Sequence, residues 1–170
     1  MNFSAVDMQE LEKKLISFRR SRHKMPENAW TEFLTTSEII HELQRLGIPY
    51  VYGKKIHMKE ERYGVPSDEI LEACMERAIQ EGADPALVED MRGGYTGVVG
   101  IIDTGRPGPT TAMRFDIDCN DVEESKEADH FPVQEGFVSI HPKLMHACGH
   151  DAHATIGIGV ANILTVCKEQ

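Results

Sequence analysis

Residues 145–153 read Met145-His146-Ala147-Cys148-Gly149-His150-Asp151-Ala152-His153, gathering one of four cysteines and three of eight histidines into a single short run. Cys148 and His150 stand two apart, and in an extended segment alternate side chains leave on the same side. A thiolate and an imidazole converging on one point make a ligand pair for a borderline metal such as zinc. Gly149 between them lets the backbone turn or approach a bound group. From Ala152 onward the chain reads as a helix, with Ala154-Thr155-Ile156-Gly157-Ile158-Gly159-Val160 at its centre. The pair then sits just before a helix N-terminus, where the dipole lowers a cysteine pKa toward the thiolate that binds metal. The competing reading is a polar turn without ligands. The concentration of these residue types favours the metal.

The rest of the chain supplies a scaffold for such a site. A first helix is expected over residues 7–23, with Met8, Leu11, Leu15 and Phe18 at helical spacing. Lys13, Lys14, Arg19, Arg20 and Arg22 colour its other faces and read as solvated surface. Thr31 is placed to cap a second helix carrying Ile39, Leu43 and Leu46 and stopping at Gly47. Residues 48–52 read as a short strand. Residues 53–96 are polar and mostly helical, with Ser67 and then Asp84-Pro85 as helix starts. They read as an insertion on the side of a sheet, with Cys74 in the core. Val98, Val99, Ile101 and Ile102 predict a buried strand, and residues 110–118 the next one. Alternation in that second strand puts Arg114, Asp116 and Asp118 on one face, with Asp118 at the strand end, where open α/β sheets gather ligands. Asp121, Glu123, Glu124, Glu127 and Asp129 form an acidic loop that reads as solvated, and residues 131–140 carry a weak strand signal.

Composition narrows the function classes. The net charge of −10 argues against nucleic acid and against an anionic membrane surface as partners. Residues 1–7 lack the basic segment and apolar run of a signal peptide, and residues 154–166 are too short and glycine-broken to span a bilayer. Four widely spaced cysteines read as reduced thiols, which points to the cytoplasm.

Four stretches together resemble a known family. They are Arg22-His23-x-x-Pro26-Glu27 with Trp30-Thr31-Glu32, then Asp103-Thr104-Gly105-Arg106-Pro107-Gly108, then Arg114-Phe115-Asp116-Ile117-Asp118, then residues 145–153. The chain resembles the two-metal aminoacylase and carboxypeptidase-type amidohydrolases, in their hippuricase branch. The resemblance implies an α/β fold: a three-layer, mixed-sheet, zinc-peptidase-like catalytic domain, incomplete at the C-terminus. It implies metal ligation by Cys148 and His150, with Asp118 orienting a ligand. Residues 1–170 would be the N-terminal part of that domain and residues 53–96 a helical insertion longer than hippuricases have there. The family's glutamate pair, with its general base, and its smaller dimerisation domain are expected beyond Gln170.

The activity so implied is hydrolysis of an amide bond in an N-acyl amino acid, with p-aminobenzoyl-glutamate the leading candidate. Two divalent ions, zinc or manganese, would serve the complete enzyme, and the isolated chain would bind none firmly and be inactive. Oligomers, of one chain type or two, would form through the missing domain. Two alternatives stay open: Cys148 as a nucleophile beside a histidine, which also needs an oxyanion hole and an orienting group, and a non-catalytic metal- or partner-binding domain.

Overall fold

The computed structural model describes residues 7–168; residues 1–6, part of the stretch read for a signal peptide, and residues 169–170 lie outside that description. Helix α1 (Met8–Lys24) starts where Asp7 accepts hydrogen bonds from the backbone N–H of Gln9 and Glu10, both at 3.1 Å. Helix α2 (Phe33–Arg45) follows, then strand β1 (Tyr50–Tyr52) and two single 3₁₀ turns. Helices α3 (Asp68–Gln80) and α4 (Pro85–Asp90) come next, the latter capped by Asp84 through the N–H of Ala86 at 2.8 Å. Strand β2 (Val98–Gly100), a short helix α5 (Phe131–Gln134) and helix α6 (His150–Cys167) complete the chain. No described helix is long and apolar enough to cross a membrane.

The main core lies between α2, α3 and α4, where Phe33, Leu34 and Ile40 meet Leu71, Met75, Ala78, Leu87 and Val88. The block 53–96 therefore packs on a helix, and Cys74 lies partly buried against that core. Ser67 stands at the N-cap of α3 and Glu32, rather than Thr31, at that of α2, neither with a side-chain cap bond. α1 packs along α6. Gly159 gives Leu15 room there, since a Cβ would lie 3.2 Å from Leu15 Cδ1.

The strands depart from the sequence reading. β1 and β2 form an antiparallel pair with Val51 opposite Val99. Val99 and Ile101 are 47% and 49% exposed, so β2 is not buried. Residues 110–118 run without a ladder partner, because no third strand lies among the described residues. The weak strand signal of residues 131–140 gives way to α5, which Pro132 opens in its first turn. Arg22 also departs from expectation: its side chain is 0% exposed and reaches Glu38 at 2.8 Å, so it is not part of a solvated basic face.

Gly157 sets a tight contact. A Cβ there would come within 2.9 Å of the Phe115 ring. Gly157→Ala is expected to destabilise the chain by about 1–2 kcal/mol, overpacking outweighing the helix-propensity gain. A urea denaturation midpoint at or above that of the parent would contradict this packing.

Candidate metal centre

The segment before α6 is pinned from one side. Asn120 and Met145 exchange backbone hydrogen bonds at 3.0 and 3.1 Å, and the Asn120 side-chain oxygen accepts from the N–H of Cys148 at 3.0 Å. Gly149 has φ +86° and an open space where a Cβ would stand, so backbone conformation selects glycine there. The helix begins at His150, two residues before the expected Ala152. Cys148 therefore sits in a turn, exposed, and His150 in the first helical turn, half-buried. The extended geometry invoked for their convergence is absent, because Gly149 in the left-handed region folds the chain between them.

His150 is nevertheless oriented. Its Nδ1 lies 3.0 Å from the Asp118 carboxylate Oδ1 and 3.1 Å from the Asp118 carbonyl oxygen. Both are acceptors, so Nδ1 carries the proton and donates. The Nε2 lone pair is then available to a metal, the arrangement by which a carboxylate fixes a ligand's tautomer. His153 is set the other way: its Nδ1 accepts from the N–H of Asp116 at 3.0 Å. Asp116 is also held by Arg114 Nε at 2.7 Å, and that guanidinium keeps its carboxyl below the usual range. Asp118 thus touches the candidate ligand and Asp116 does not. Among the described residues no hydrogen bond joins the Cys148 thiol to an imidazole, which removes the support a nucleophilic cysteine would need.

Asp118 and Asp116 also line a cleft of about 410 Å³, with Trp30, Glu32, His57 and Phe115. Burial pushes the Glu32 carboxyl up to about 8, against the Thr96 hydroxyl that donates to it at 2.5 Å. The folded chain keeps a proton on Glu32 that the unfolded chain releases in the ordinary carboxylate range. Stability is therefore expected to be highest below that range and to fall as pH rises toward 8. Relative to Glu32→Gln, the loss should be on the order of 3 kcal/mol across this window. Urea unfolding at the two ends of the window measures it, and parallel behaviour of parent and variant would contradict it.

A buried cluster went unread in the sequence. Glu124, placed above in a solvated loop, is 3% exposed. Its Oε1 meets His23 Nε2 at 2.9 Å and His130 Nε2 at 2.8 Å, and its Oε2 accepts from the Ser139 N–H at 2.6 Å. These bonds replace solvent, which is why an acidic-loop residue can be buried. His146 is buried with neither ring nitrogen bonded, and burial lowers its pKa to about 4, leaving a neutral ring. The one pointer in the sequence was His23 beside Arg22, ahead of Pro26 and Glu27.

Among the described residues no group of three or more His, Cys, Asp or Glu side chains is arranged to hold a metal. The donors present fit part of a site: a free Nε2 fixed from behind and an exposed thiol.

No family model matches the chain. It is 40% identical over 151 residues to one of the subunits of p-aminobenzoyl-glutamate hydrolase from Escherichia coli, covering 89% of this chain and 35% of that protein. It is 38% identical over 157 residues to indole-3-acetyl-aspartic acid hydrolase of Enterobacter agglomerans, covering 92% and 36% respectively. Among solved structures it matches the aminobenzoyl-glutamate utilization protein of Klebsiella pneumoniae with a TM-score of 0.72 and 30% identity, over 94% of this chain and 33% of that one. It also matches a dinuclear metal-binding peptidase of the M20 family from Bacillus subtilis, with a TM-score of 0.61 and 25% identity, over 95% and 33%. The chain spans about a third of the length of these relatives. Over that third its fold is that of these solved structures, so the sheet-based class read from the sequence holds, although among the described residues only two short strands pair.

Proposed function

We propose that this chain, kin in sequence and fold to hydrolases of acyl–amino acid conjugates over a third of their length, is the N-terminal part of a metal-dependent amidohydrolase. The reaction is cleavage of the amide bond in an N-acyl amino acid, with p-aminobenzoyl-glutamate the first substrate to try. The observation that carries the reading is His150, whose Nδ1–H is held by Asp118 while Nε2 stays free near the start of α6. Cys148 and His150 are the proposed metal ligands, and Asp118 orients His150. A pair of divalent ions, zinc or manganese, would supply Lewis acidity toward the amide carbonyl and toward water.

The cleft walled by Trp30, His57 and Phe115 beside Asp118 supports an aromatic acyl group as the part of the substrate lodged there. Glu123 and Glu124 are poor general bases. The first accepts from the Lys143 N–H at 2.7 Å, and the second is locked to His23, His130 and Ser139. The base is therefore proposed to come from sequence outside this chain, along with further ligands and a dimerisation domain. Residues 53–96 are the helical insertion of this domain. Four free cysteines favour the cytoplasm as its compartment.

Asp118→Asn in a polypeptide of the relatives' full length is expected to lower turnover about 10–100-fold, as loss of a ligand-orienting carboxylate does. Unchanged turnover would remove Asp118 from the site. The function itself is tested by assaying p-aminobenzoyl-glutamate and hippurate with zinc and with manganese, using the 170-residue chain and the longer polypeptide in parallel. Turnover by the longer polypeptide alone is expected. A second reading, a metal-binding module, draws on the two-donor site, and metal bound without hydrolysis by either polypeptide would favour it. Metal-dependent turnover by the short chain would show that the base lies within it.

A further inference from the structure

His23 lies in the last turn of α1, far in sequence from the residues it touches. Its Nδ1 is 2.9 Å from Asp151 Oδ2 and its Nε2 is 2.9 Å from Glu124 Oε1. Phe137 closes one side, edge-on, with ring centres 5.4 Å apart. Burial alone would lower the pKa of His23, but the bonds to Asp151 and Glu124 outweigh it and leave it raised. Asp151, 1% exposed, is the residue after His150 in the first turn of α6. That helix enters through Gly149 with no side-chain cap bond, and an uncapped first turn frays unless tertiary contacts hold it. Arg19 shares the Asp151 Oδ2 at 3.3 Å but is half exposed, whereas His23 is enclosed.

We propose that His23 is a positioning residue for His150: by holding Asp151 it fixes the first turn of α6, so that His150 meets Asp118 and presents Nε2. The proposal rests on the reading of His150 as a metal ligand, yet its geometry can be followed without any metal. It also separates the two nitrogens of His23. The Asp151 side matters for His150; the Glu124 side fastens the acidic loop.

Two amide substitutions divide those roles. In His23→Asn the amide nitrogen stands close to where Nδ1 was and keeps a donor for Asp151. In His23→Gln it stands close to where Nε2 was and keeps a donor for Glu124. The readout is the ring ¹⁵N shifts of His150 in the metal-free 170-residue chain, at a pH where a free imidazole is neutral. The parent and His23→Asn are expected to show His150 as one tautomer, protonated on Nδ1. His23→Gln is expected to shift it toward an average of the two tautomers. In the longer polypeptide, zinc affinity should fall about 10–100-fold in His23→Gln and stay near the parent value in His23→Asn. A role confined to stability would move both variants alike, so equal His150 shifts in the two would overturn the proposal. Asp151→Ala gives an independent arm, and an intact Nδ1–H tautomer in it would overturn the proposal as well. Failure of the parent to bind zinc, with the tautomer pattern as expected, would sink the metal reading and leave the positioning intact.

Discussion

Glu27→Ala is expected to cost the chain about 3–5 kcal/mol of stability, enough to leave little folded protein in a domain of ordinary marginal stability. Glu27 lies outside α2, yet its carboxylate does the capping that Glu32 at the N-cap does not. Oε1 accepts from the N–H of Leu34 at 3.0 Å, and Oε2 from the N–H and hydroxyl of Thr35, both at 2.8 Å. The group is wholly buried. Alanine would leave three donors without partners where water does not easily reach, each worth about 1–3 kcal/mol. The helix concerned carries Phe33, Leu34 and Ile40, so loosening its first turn opens the core. Glu27→Gln keeps an acceptor and should lose roughly half as much. Urea unfolding followed by circular dichroism measures both. A Glu27→Ala chain within about 1 kcal/mol of the parent would mean that the buried donors find other partners.

The second large effect concerns the proposed ligands. In a polypeptide of the relatives' length, His150→Ala and Cys148→Ala are each expected to lower kcat/KM by roughly 10³-fold, several kcal/mol of transition-state stabilisation. Metal content by elemental analysis should fall with it. His153→Ala is the internal control: the Nδ1 of His153 is engaged by the Asp116 N–H, so its loss should cost far less. Equal metal content in the parent, His150→Ala and Cys148→Ala would refute the ligand assignment.

What the sequence disclosed depended on how local the cause was. α1 was readable from the helical spacing of Met8, Leu11, Leu15 and Phe18, and α4 because Asp84 acts on an N–H only two residues away, with Pro85 opening the helix. Pro132 was a local signal too, but the apolar run around it masked a single helical turn as a strand. Arg22 and Glu124 were misread for the opposite reason. A charge is buried only when a partner meets it, and His23 and Glu124 stand 101 positions apart in sequence. Residues 110–118 have strand-like alternation, yet a ladder needs a neighbour that alternation cannot supply. At the candidate centre, the Cys148–His150 spacing was visible as a pattern and Gly149 as a place where the backbone can turn, but that the turn does away with the extended geometry between them was not. The resemblance pointed to Asp118 orienting a ligand, and the fold is what brings its carboxylate to His150.

The pairing of α1 with α6 has a consequence for how the molecule is made. α1, translated well before α6, packs chiefly on it, through Leu15 against Gly159 and His23 against Asp151. Until residue 151 has been translated, His23 and Arg19 have no Asp151 to bind and Leu15 stays uncovered. The centre formed by α2, α3 and α4 can assemble earlier, from contacts close in sequence. Synthesis is therefore expected to carry a nascent chain in which α2, α3 and α4 have settled while α1 is still unclaimed, exposed to chaperones and proteases until the Cys148–His150 segment emerges.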